Sequence, residues 1–219
     1  MKKKKAKIVC LILAALLLLL AGFIYVQREN MKAVVEGAQS ATGDLEQRLK
    51  ENEQKLEDAL SELSKHDLTE EEKSTIRRGT LSQDELEHLL TGEEASEEEN
   101  AYAKSLAELL SRVYALRQQY VTLLEAMEAE AKEEYSALPQ SDRTTAKLVK
   151  IAKGYISRAA ALEKECDDTM DAIVAEMTKL VQDNKGDLSI VDSVIDAYAN
   201  EKRLKKAWYI SKMKERGLV

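Results

Sequence analysis

The side chains that could do chemistry are few in kind, and only the carboxylates are numerous. His66 and His88 are the two histidines of the chain. Neither has a cysteine or a second histidine at the spacing of a zinc site, and both lie in polar sequence, which predicts solvated surface imidazoles. Cys10 and Cys166 are the two thiols. Cys10 falls inside a long apolar run, so geometry argues against a disulfide between them. Cys166 occupies an aliphatic seam, where a thiol acts as a small apolar residue; an intersubunit disulfide would require two copies of that helix to face each other. The 40 acidic residues recur along helix faces, where charge keeps a helix solvated, and no acid/base pair is singled out. There is no nucleophile elbow, P-loop or dinucleotide fingerprint. The expectation is a protein that is not an enzyme, with no catalytic residue, cofactor or metal.

Chemistry is then expected at binding surfaces, and two stretches suit that role. Lys202, Arg203, Lys205, Lys206, Lys212 and Lys214 surround Trp208 near the end of the chain. Such cations complement a helix C-terminus and pair with acidic helices. They also suit an anionic surface, such as lipid headgroups or cell-wall polymer, with the aromatic residue at the interface. The second stretch is a heptad seam of Leu45, Leu49, Asn52, Leu56, Ala59 and Leu63. Leu49, Asn52, Leu56 and Leu63 predict self-association as a short coiled-coil stem, with Asn52 setting the register. An amphipathic helix packed on its own chain gives the same periodicity.

Between these stretches, Thr80 to Leu90 reads TLSQDELEHLL. This run is similar to the short amino-terminal peptide of the bacterial flagellar motor switch proteins, which implies docking of a response regulator as a small helix. The likeness covers eleven residues, and the capping box Ser82-x-x-Glu85 accounts for most of it.

The elements that must position these residues are helical. One proline, eight glycines, 33% charged and 5% aromatic residues describe extended helices with aliphatic stripes. Residues 1–7 carry five lysines, and the net charge of −7 therefore leaves the remainder near −12. That acidic balance argues against a nucleic-acid partner. Residues 8–26 are uncharged and apolar, about 28 Å as a helix, which predicts a single-pass transmembrane anchor too long for a cleaved signal. The flanking lysines place the amino terminus in the cytoplasm and the rest outside the membrane.

Residues 27–65 would form the stem, and 66–96 an acidic jointed linker with a short helix at 83–91. Residues 97–219 would form an elongated three-helix antiparallel bundle, with Pro139 ending its first helix. The functional expectation is a membrane-anchored structural or interaction protein of a bacterial cell envelope. It would be a homo-oligomer that positions an envelope partner. The alternative is an extracytoplasmic sensor or a helical bundle that binds a ligand or a protein.

Overall fold

With a single proline and few glycines to interrupt it, most of the chain is free to be helix. A computed structural model describes residues 31–92 and 95–215. Among them are seven α-helices, one 3₁₀ turn and no strand: α1 (residues 31–39), α2 (Thr42–Leu63), α3 (Glu70–Arg78), α4 (Gln83–Leu90), α5 (Glu97–Ala137), α6 (Thr145–Asp183) and α7 (Ser189–Glu215), with the 3₁₀ turn at Gln140–Asp142.

Local sequence sets most of the boundaries. Thr69, Ser82 and Ser96 each accept a bond from the backbone N–H three residues on, and Glu72, Glu85 and Glu99 reach back to the capping backbone. These three capping boxes start α3, α4 and α5. Gly79 ends α3 in the left-handed region, at φ 67°. Leu138 ends α5 in extended conformation because Pro139 follows it.

The chain divides into two compact units, and α2 and α7 contribute to both. The described part of the first comprises residues 31–49 and 199–215. Its core is Leu45, Leu204 and Ala207, with Leu49 and Trp208 packed around them. A Cβ at Gly37 would collide with the Ala207 carbonyl oxygen and the Ile210 side chain, so glycine permits this close helix contact. Glu36 pairs with both Arg48 and Arg203.

The second unit, residues 50–198, holds the larger core. Leu60, Ile76, Leu86, Leu89, Leu106, Leu110, Ile173, Met177, Val181 and Val194 are all buried in one aliphatic cluster. Glu57 is also buried, and its carboxylate lies 3.1 Å from the Arg77 guanidinium.

Three expectations are corrected. The predicted span at residues 8–26 lies outside the described residues. Among those that are described, no helix is long and apolar enough to cross a membrane, since all of the longer helices carry charge along their length. In place of the membrane-anchored, extracytoplasmic arrangement, the described residues show an all-helical, multi-helix bundle. The coiled-coil stem is also replaced. The stripe of α2 is covered by its own chain: Leu45 and Leu49 by Leu204 and Ala207, and Leu56, Leu60 and Leu63 by the second unit's core. Asn52 is buried with its Nδ2 donating to the Ala197 carbonyl at 2.9 Å, so it sets no register with another copy. With its stripe occupied, α2 provides no basis for the homo-oligomer.

The elongated three-helix bundle is the third correction. Helices α3 and α4 belong to the core of the hairpin formed by α5 and α6, and the linker stretch supplies Leu68, Ile76, Leu81, Leu86, Leu89 and Leu90 to it.

Two outcomes follow from this packing. Leu60→Ala should cost about 2–5 kcal/mol in urea unfolding with no change in sedimenting mass; a change in mass with little loss of stability would restore the stem. The second outcome concerns acid. Backbone and hydroxyl bonds from Thr69, with a smaller contribution from His66, hold the Glu72 carboxyl down to about 2, and the backbone of Ser82 and Ser96 lowers Glu85 and Glu99. A carboxylate depressed in the folded state stabilises above its unfolded pKa of about 4.3 and loses that contribution as pH falls through the folded value. Thermal stability should therefore decline from about pH 4.3 down to about 2. Glu72→Gln should be less stable at neutral pH and show a shallower acid decline.

Candidate partner-binding arm

Helices α5 and α6 are long, but the core covers only part of them. On α5 the buried residues are Ala103, Leu106, Ala107, Leu109, Leu110, Val113 and Tyr114, all in its first half. On α6 burial runs from Cys166 to Val181. No described side chain from Ala115 to Glu165 is buried. Within this unit the far halves of the two helices form a two-helix arm without a buried described side chain. Its α5 part, from Gln118 to Ala137, rises about 30 Å at 1.5 Å per residue.

The base of the arm is fixed by side chains that reach several elements. Arg112 forks onto Glu176 at 2.5 and 3.1 Å, tying α5 to α6. Arg117 pairs with Glu53 of α2 at 3.0 Å and donates to the Arg78 carbonyl at 3.3 Å. Tyr198 donates to Asp167 at 2.7 Å. At the tip, Arg143 donates to the carbonyl oxygens of Leu138 and Ser136 and closes the turn, and the Thr144 hydroxyl caps α6.

Charge is segregated between the two helices of the arm. The α5 side carries Glu125, Glu128, Glu130, Glu133 and Glu134 against Lys132. The tip and the first turns of α6 carry Arg143, Lys147, Lys150, Lys153 and Arg158, with no acid from Arg143 to Leu162. Arg158 bridges the helices, pairing with Glu130 at 2.8 Å while its guanidinium lies 4.8 Å over the Tyr155 ring. Burial first, and then the Glu134 and Glu130 charges, hold the Tyr155 phenol above its usual range.

A groove of about 360 Å³ opens beside the tip. Leu138, Ile151 and Tyr155 give it an apolar lining, Gly154 lies in its wall, and Glu134, Lys147, Lys150 and Arg158 supply charge. Gly154 stands inside α6, where glycine costs about 0.5–1 kcal/mol relative to alanine, yet a Cβ there would meet nothing within 4 Å. The two helices of this arm give no packing reason for it. By contrast, a Cβ at Gly79 would lie 2.5 Å from the Arg117 guanidinium on a left-handed backbone.

The residues expected to form sites are placed elsewhere. In the first unit Arg203 pairs with Glu36, the Trp208 indole donates to Glu46 at 3.0 Å, Lys212 lies 4.0 Å over the Trp208 ring, and Lys214 donates to the Ala38 carbonyl at 2.6 Å. Lys202, Lys205 and Lys206 are half-buried, and both Lys202 and Lys206 have partners. Leu49, Asn52, Leu56 and Leu63 pack within the chain. His66 and His88 come together although far apart in sequence, with ring centroids 5.2 Å apart and His66 Nε2 3.1 Å from Glu72. Among the described residues no group of three or more His, Cys, Asp or Glu side chains is arranged to hold a metal ion.

Sequence reasoning passed over the arm groove. The available signals were Gly154 inside a strong helical pattern and the acid-free basic run beside it. No protein-family model, curated protein or solved structure matches this chain.

The two glycines should respond in opposite directions. Gly154→Ala should raise stability by about 0.5–1 kcal/mol, whereas Gly79→Ala should lower it. Paired urea titrations check both, and a destabilising Gly154→Ala would show that the arm itself needs the glycine.

Proposed function

We propose that this chain is a protein-binding helical module and that the arm of α5 and α6 is its contact element. The observation that supports this reading is an anchored hairpin extending beyond its core and displaying Leu123 and Ile156 at 37% and 53% exposure. Exposed aliphatic side chains are ordinary singly. Here they share an arm with segregated charge and an open groove, the usual ingredients of a protein interface: an apolar centre with a polar rim. The mechanism is recognition, in which the body holds the arm in place and the partner covers what the body leaves open.

The test is a photo-reactive residue placed singly at Leu123 or Ile156 in the cells that produce the protein, with the exposed body residue Lys179 as control. A discrete protein adduct at the two arm positions, absent at Lys179, is the expected result. No adduct on the arm, or the same adducts at all three positions, would contradict the reading.

A further inference from the structure

Resting on the arm as the contact element, the geometry points to the identity of what it receives: we infer that the groove at Gly154 docks an acidic amphipathic helical segment of a partner protein. Lys147 and Lys150 line the groove, in which Glu134 is the one carboxylate, and Lys153 follows a turn after Lys150. Arg158 is held by Glu130 and Tyr155, so its charge is already matched and the cations offered to a ligand are the lysines. A ligand carrying carboxylates along one side satisfies these charges, which act mainly on encounter and orientation.

The apolar lining decides what else the ligand must carry. Leu138, Ile151 and the Tyr155 ring favour an aliphatic or aromatic anchor between the carboxylates. The vacant space at Gly154 lets a second helix backbone approach α6 closely, and Ser157 and Ala161, a turn and two turns on, keep that approach low. An acidic helix with one apolar stripe meets all of these conditions. A nucleic-acid backbone does not, because the aliphatic lining of Leu138 and Ile151 would face a polyphosphate unused.

The experiment places the photo-reactive residue at exposed Ser157, one turn from Gly154, in the full chain in its own cells, and sequences the cross-linked segment. Lys147→Glu with Lys150→Glu, and separately Gly154→Leu, are made in that background, with melting temperature measured on each. Adducts to a segment of net negative charge, reduced at least tenfold in both variants while folding is retained, are the expected result. Adducts to a basic or neutral segment, to nucleic acid or to a second copy of this chain would overturn the inference, as would yields that both variants leave unchanged. Absence of adducts at Ser157 while Leu123 and Ile156 still cross-link would overturn this inference and leave the arm reading standing. Absence at all three positions would overturn both.

Discussion

Aliphatic burial where α2, α3, α4 and the base of the α5–α6 hairpin meet is the constraint on which the second unit depends. An eight-residue helix such as α4 is too short to persist by backbone bonding alone. It exists because Leu86, Leu89 and Leu90 are buried against the cluster that includes Leu106 and Leu110. A fully buried leucine is worth about 1.5–3 kcal/mol, so three of them offset the ordering of a short helix and its flanking turns. The same burial fixes the base of α5 and α6. Past Tyr114 on one helix and before Cys166 on the other no described side chain is buried, and beyond the contacts of Leu116, Arg117 and Tyr120 the hairpin continues as a two-helix structure.

How far the core reaches therefore separates the part of the hairpin that holds the fold from the part free to bind. Three glycines differ in the same way. Gly37 and Gly79 sit where a side chain would strike a neighbour, and their chemistry is explained by the fold. Gly154 sits where a side chain would strike nothing. A glycine inside a helix, beside lysines and an apolar groove, fits a surface shaped for something other than its own chain.

Much of the fold was legible in the sequence. The Ser82-x-x-Glu85 spacing located the start of α4, and Pro139 located the end of α5. Periodicity does not say whose surface covers a stripe, however. The leucines of α2 satisfy a dimer seam and an intrachain packing face equally well, and only the position of Leu204, Ala207 and the larger core decides between them. The acidic stretch around α3 and α4 looked like a linker because its charges outnumber its apolar residues. Leu81, Leu86, Leu89 and Leu90 all fall inward, a three-dimensional fact that average composition hides. The meeting of His66 and His88 had no local signal, since it depends on α4 folding back so that Lys65 N–H donates to the Leu89 carbonyl at 2.9 Å.

Native-state amide hydrogen exchange tests the central claim, that the arm is ordered without being part of the core. The amides from Leu106 to Tyr114 and from Ile173 to Val181 should exchange only through global unfolding. Those from Val121 to Tyr135 and from Leu148 to Leu162 should exchange through openings of lower free energy. Equal protection along the whole of α5 and α6 would contradict the account, because it would mean that the arm is buried as deeply as the base that anchors it.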